Sequence, residues 1–192
     1  MLSDPIALGL VPDEGRGSLP FALIYGEPLI AAATFAVEAA DITVIDPRTE
    51  WAAIVETDLP LVIHDPLCPL TPSSFLGEAV EACLETGDVV VGVRPVTDTI
   101  KVDLGDRLGE TVDRATLREI TSPIVVPARV VAELTDLPSH DFAELAKALA
   151  SRGIRELPAP PLSRRVRTVD DLPVLEASGR PSGAEQELLG HR

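Results

Sequence analysis

Two carboxylates and a cluster of guanidinium groups are the side chains whose type and spacing offer chemistry in this chain. Asp65 follows the apolar run LPLVI, Asp98 follows GDVVVGVRPV, and Arg164, Arg165 and Arg167 crowd into four positions. Ligands of a β-α layer architecture bind beyond the strand ends, and both carboxylates lie in loops that follow apolar runs. Each has a plainer role too: Asp in turns satisfies loop amides, and a short basic run is a solvated surface. The stretch VRPVTDTIKVDLGDRLGETVDR, from Val93 to Arg114, reads as a strand running into a projecting hairpin. Cys68 and Cys83 have no zinc-ligand spacing and read as buried, reduced thiols.

The elements that must position these residues follow from short apolar runs bounded by Pro, Gly or Asp. IALGLVP (6–12), DITVID (41–46), LPLVIHDP (59–66) and GDVVVGVRPV (87–96) are nearly continuous apolar stretches, the pattern of strands covered on both faces. Between them lie helical segments. One spans Glu27 to Ala40; another spans Thr71 to Glu85, with Thr71 as N-cap, Pro72 at its first position and Gly87 as its stop. Alternation of this kind predicts an α/β architecture with right-handed crossovers, whose ligands bind beyond the C-terminal ends of the strands.

Period-two alternation of Ile100, Val102 and Leu104 before Gly105-Asp106-Arg107 predicts an antiparallel ribbon. SPIVVPARVVAELTDL then reads as a strand entering a helix. A helix at His140 to Arg152, capped by Ser139 and closed by Gly153, comes next; PAPPL is extended, and VDDLPVLEAS carries a last short helix. One domain over 1–178 is expected, with a β-arm at about 98–122 and a disordered polar tail over 179–192.

Charge narrows the function classes. With 16 basic and 31 acidic residues the chain of 192 carries a formal net charge of −15, which disfavours nucleic acid and anionic membranes as partners. No apolar run approaches the ~20 residues that cross a bilayer, and the first residues lack a secretory signal pattern, so a cytoplasmic location is expected.

Three motifs, in order, resemble the 2-C-methyl-D-erythritol 4-phosphate cytidylyltransferase family of IspD-like nucleotidyltransferases. VIHDPLCPLTP (62–72) is similar to VHDAARPLTP, RPVTDTIK (94–101) to APVTDTIK, and VRTVDDLPVLEA (166–177) to the KVTTPEDL segment; ETVDRATLREITSP (110–123) is a weaker echo. The resemblance implies a Rossmann-like nucleotidyltransferase fold, with a mostly parallel sheet, helices on both faces and a projecting β-arm through which two chains form a homodimer. It implies transfer of CMP from CTP to a sugar-alcohol phosphate with Mg²⁺, in isoprenoid biosynthesis. Residue by residue, it implies Asp65 as metal ligand, Arg16 and Arg165 as phosphate contacts, and Asp98, Thr111 and Arg129 on the substrate side. Arg129 is carried over as the neighbour of Ala128, which aligns with the family's arginine.

The sequence departs from the pattern in three places. LVPDEGRGSLPF, Leu10 to Phe21, is shorter than the family's AAGxGxRxGxxxPK loop, puts Asp13 and Glu14 where phosphates would lie, and has Phe21 in place of the lysine. A carboxylate ~4 Å from a phosphate charge costs on the order of 4 kcal/mol at an effective dielectric of ~20. PRTEWAAIVETD (47–58) lacks the cytosine-reading Gly pair and Ser, and Cys68 replaces an arginine. Two readings therefore stand: a homologue with an impaired CTP site that binds a small phosphorylated ligand or a protein partner without any cofactor, and an active Mg²⁺-dependent cytidylyltransferase.

Overall fold

The computed structural model describes residues 5–96, 101–103, 108–111 and 117–179, the two short arm segments through their backbone alone. In chain order the elements are β1 (Leu8–Leu10), the hairpin β2 (Leu23–Ile24) and β3 (Glu27–Pro28), α1 (Leu29–Glu38), β4 (Thr43–Val44), α2 (Trp51–Glu56), β5 (Leu61–Ile63), α3 (Ser73–Thr86) and β6 (Val89–Pro95). The arm strands β7 (Lys101–Asp103) and β8 (Leu108–Thr111) follow, then β9 (Arg118–Val126), α4 (Ala128–Glu133), α5 (Phe142–Leu149), β10 (Ile154–Pro158) and α6 (Leu172–Gly179).

Six strands form one sheet in the order β10-β6-β9-β5-β1-β4. Five run parallel, and β9 lies antiparallel between β5 and β6. Successive side chains of a strand point to opposite faces, and this divides the core. Leu61, Ile63, Val89, Val91, Ile124 and Val126 face α4 and α5, while Val62, Val90 and Val125 face α1 and α3. Helices thus cover both faces, as the continuous apolar runs require. A third small cluster, built from Ile24, Leu29, Leu67, Val166, Leu172 and Leu175, ties the β2–β3 hairpin and α6 to the loop after β5. Among the described residues no helix is long and apolar enough to cross a membrane.

Close approach fixes one glycine. A Cβ on Gly92 would stand 2.8 Å from the carbonyl oxygen of Ser122, where the β6–β9 register shifts. Gly87 ends α3 in the left-handed conformation, as the sequence signals.

Several boundaries differ from expectation. Thr71 does not cap α3: its hydroxyl donates to the Cys68 carbonyl at 2.9 Å, and Pro72 occupies the N-cap position. The cap of α5 is Asp141 rather than Ser139, accepting from the Ala143 and Glu144 amides. Part of PAPPL is wound into a 3₁₀ turn, Pro161–Ser163, and the edge strand β10 before it carries no apolar run in the sequence. The arm strands pair antiparallel, Lys101 opposite Thr111. The expected turn at 105–107 and the tail beyond Gly179 lie outside the described residues.

Candidate functional site

Asp65 stands just past the C-terminal end of β5, in the loop that begins His64-Asp65-Pro66. Three chain segments converge on its buried carboxylate. Oδ1 accepts from Arg16 Nε at 2.7 Å and from the Leu67 amide at 3.0 Å; Oδ2 accepts from Arg165 Nε at 2.8 Å. Arg16 comes from the loop after β1, Arg165 from the extended stretch before α6. Burial alone would raise the Asp65 pKa, but the charges of Arg16 and Arg165, with their hydrogen bonds, outweigh it and hold the carboxyl below its usual range. Arg165 is held above its usual value, burial being outweighed by the Asp65 charge and hydrogen bond.

The Arg16 guanidinium is enclosed. Its Nη1 donates to the Glu14 carbonyl at 2.7 Å, its Nη2 to the His140 carbonyl at 3.1 Å, and its carbon lies 5.8 Å from the centre of the Phe142 ring. Only 3% of the side chain is exposed, against 38% for Arg165. His140 Nδ1 lies 2.9 Å from Glu14 Oε2, so the β1 loop is fastened to the segment preceding α5 at a second point.

Behind Asp65 lies a buried polar seam. His64 Nδ1 pairs with the Ser122 hydroxyl, which also accepts from the Asp65 amide at 3.0 Å. Burial pulls the His64 pKa down to about 4 against the opposing pull of Asp65, so the imidazole is neutral at physiological pH. The Thr121 hydroxyl donates to the Ser163 carbonyl at 2.6 Å, which leaves the Cys68 thiol as donor to Thr121 at 3.4 Å. Burial, helped by the Asp65 charge, pushes the Cys68 pKa up to about 12, so it remains an unreactive thiol.

Of the residues singled out in the sequence, Asp65, Arg16 and Arg165 meet. Arg129 does not join them: its guanidinium donates to the Gly87 carbonyl at 2.8 Å and 3.2 Å, binding the C-terminus of α3 at the opposite end of the sheet. Asp98 and the side chain of Thr111 lie outside the described residues. Phe21, where the resemblance would place a lysine, is 57% exposed. Sequence reasoning missed His140 and Phe142, which hold Arg16 through a backbone carbonyl and a ring face. It also missed Ser122, whose only signal was its place in the weak TSP echo.

The residues present do not fit a divalent cation at Asp65. Both carboxylate oxygens are engaged by guanidinium groups, whose positive charge opposes a metal ion. Among the described residues no three His, Cys, Asp or Glu side chains gather as a metal-binding group.

A parallel sheet interrupted by one antiparallel strand, with its polar cluster at the C-terminal strand ends and an arm leaving after β6, defines a nucleotidyltransferase-type α/β fold. The 2-C-methyl-D-erythritol 4-phosphate cytidylyltransferase of Thermus thermophilus superimposes with a TM-score of 0.69 at 18% identity, covering 92% of this chain and 100% of that one. A 4-diphosphocytidyl-2C-methyl-D-erythritol synthase superimposes with a TM-score of 0.70 at 15% identity, covering 91% and 99%. In sequence, the cytidylyltransferase of Saccharopolyspora erythraea is 33% identical over 122 residues, 61% of this chain and 54% of that protein. The bifunctional enzyme IspD/IspF of Clavibacter michiganensis is 36% identical over 135 residues, 65% of this chain and 31% of that protein. No protein-family model matches the chain. Its curated homologues and structural neighbours are IspD proteins. The matched region spans about half the length of the Saccharopolyspora erythraea cytidylyltransferase and of its Bacillus velezensis counterpart.

Proposed function

We propose that this IspD homologue acts by binding and does not transfer CMP. The observation that carries the reading is the Arg16–Asp65–Arg165 bridge. Phosphoryl-type transfer depends on cations aimed at the phosphate oxygens. Here Arg16, the cation of the β1 loop, is spent on an internal carboxylate, and that carboxylate is the one the resemblance would give to Mg²⁺. Phe21 supplies no charge, and the Glu14 carboxylate borders the same loop. The reading includes a homodimer joined through the arm, whose two-stranded ribbon exposes pairing edges. It also includes a cytoplasmic location, which the two free, buried thiols support.

Calorimetry and pyrophosphate release, measured with CTP, Mg²⁺ and 2-C-methyl-D-erythritol 4-phosphate, test it. The expected CTP dissociation constant is weaker than roughly 1 mM, about 4 kcal/mol of binding, with no pyrophosphate formed. The retained His64-Asp65 pair and PVTDTIK word favour the alternative of an active cytidylyltransferase. Micromolar CTP binding, or transfer abolished by Asp65→Asn, would establish that alternative.

A further inference from the structure

The buried seam behind Asp65 leaves one ring nitrogen unmatched. His64 is wholly enclosed, and its Nε2 hydrogen-bonds to no described residue. The other nitrogen, Nδ1, pairs with the Ser122 hydroxyl, whose oxygen accepts from the Asp65 amide at 3.0 Å. A polar atom buried without a partner forfeits the hydrogen bond it makes to water in the unfolded chain, so such atoms are rare in folded proteins and call for an occupant beside them.

Ser122 decides which nitrogen carries the ring proton. A serine hydroxyl has one proton to give and two lone pairs to receive. Among the described residues Ser122 Oγ has two partners, the Asp65 amide, which can only donate, and His64 Nδ1. Were the proton on Nδ1, Ser122 would receive two hydrogen bonds, its own proton would lack an acceptor, and Nε2 would still be unmatched. With Ser122 donating to Nδ1, every group is paired except the Nε2–H. Burial keeps the ring neutral, so its single proton sits on Nε2.

What meets that N–H must be small, neutral and able to accept. The ring is sealed from solvent, and one neutral donor does not compensate an ion for leaving water. A protonated Nε2 cannot ligate a metal, and no three His, Cys, Asp or Glu side chains gather as a metal-binding group among the described residues. Water has the required properties, and internal waters in proteins serve buried polar groups of this kind. Ser163 Oγ, also buried without a described partner, belongs to the same seam: Thr121, next to Ser122, donates to the Ser163 carbonyl at 2.6 Å.

We propose that the seam holds an internal water that accepts from His64 Nε2–H, with the ring fixed in this tautomer by Ser122. Ser122, its proton committed to Nδ1, keeps a lone pair on the Asp65 amide and so holds the backbone from which the Asp65 carboxylate meets Arg16 and Arg165. This holds whether or not the chain transfers CMP.

Two measurements on the full wild-type chain at pH 7 test it. Long-range proton–nitrogen NMR correlations of the His64 ring should show a pyrrole-type Nε2 and a pyridine-type Nδ1. A crystal structure should place an ordered water about 2.7–3.2 Å from Nε2. His64→Phe, which removes the donor, should lose that water. A pyrrole-type Nδ1, a protein acceptor at Nε2 in place of water, or no ordered atom there each overturns the proposal. So does a water that keeps its full occupancy in His64→Phe; should that variant fail to fold, the two wild-type measurements decide.

Discussion

Replacing Asp65 by Asn measures what the central bridge contributes. The substitution keeps the shape and one acceptor oxygen but removes the charge that two guanidiniums share. Arg16, 3% exposed, would then be a buried cation with only the carbonyls of Glu14 and His140 and the ring of Phe142 around it. Stripping the partner from a buried ion pair costs about 3–5 kcal/mol. Arg165, 38% exposed, is screened by solvent and adds at most about 1 kcal/mol. Because Asn can still accept one hydrogen bond, the expected loss is about 3 kcal/mol, a fall in melting temperature on the order of 10 °C for a chain of this length. Urea unfolding at pH 7 reads the loss. Adding Arg16→Met to Asp65→Asn removes the stranded cation and should recover at least about 1 kcal/mol. The pH dependence has a fixed sign: the folded Asp65 pKa is depressed, so its contribution is complete above the unfolded carboxylate value of ~3.9 and is lost as pH falls through the folded value. Wild type and Asp65→Asn should therefore converge only in strong acid. A loss below about 1 kcal/mol at pH 7, or a double variant no more stable than the single one, would refute the reasoning.

His64 carries a second pH signature: with its pKa pulled to about 4 when folded and ~6.5 unfolded, its contribution is complete above pH ~6.5 and falls by about 3 kcal/mol as pH drops towards 4. The urea midpoint of His64→Gln should lack that slope. Gly92→Ala drives a methyl to 2.8 Å from the Ser122 carbonyl oxygen and should destabilise by about 1–3 kcal/mol in the same assay. Phe21→Lys restores a cation at an exposed position, yet calorimetry should still show no submillimolar CTP binding, because Arg16 stays on Asp65. Light scattering should give a dimer that becomes a monomer when residues 101–111 are replaced by a short Gly-Ser link; a monomer in both cases would sink the arm as the interface.

The sheet was legible because its central strands are covered on both faces: runs such as LPLVI and VVVGV have no other soluble use. β10 was not, because IRELP lies on an edge with most of its residues exposed, and an edge strand needs no apolar run. Thr71 misled as a cap because a hydroxyl beside a turn can serve the turn instead, as its bond to Cys68 shows. At the site, Asp65, Arg16 and Arg165 could each be singled out only through the family resemblance of the motifs around them. Their meeting could not, since the contacts join residues 49 and 100 positions apart. The His140 carbonyl that helps hold Arg16 is a backbone atom that any residue type would supply.

The departures around the β1 loop reinforce one another. A guanidinium buried to the extent of Arg16 requires a counter-charge, and Asp65 provides it; a carboxylate as buried as Asp65 requires cations, and Arg16 and Arg165 provide them. With Phe21 where the resemblance would place a lysine and Cys68 where it would place an arginine, neither position adds a further cation. To expose Arg16 to a phosphate, the chain would have to break its contacts with Asp65, the Glu14 and His140 carbonyls and the Phe142 ring, while leaving the Asp65 charge with Arg165 alone. That cost falls on any polyanion that would draw Arg16 away from Asp65. On the proposed binding reading, the same bridge is what would oppose a triphosphate at the loop after β1, since both arginines are held on one buried carboxylate.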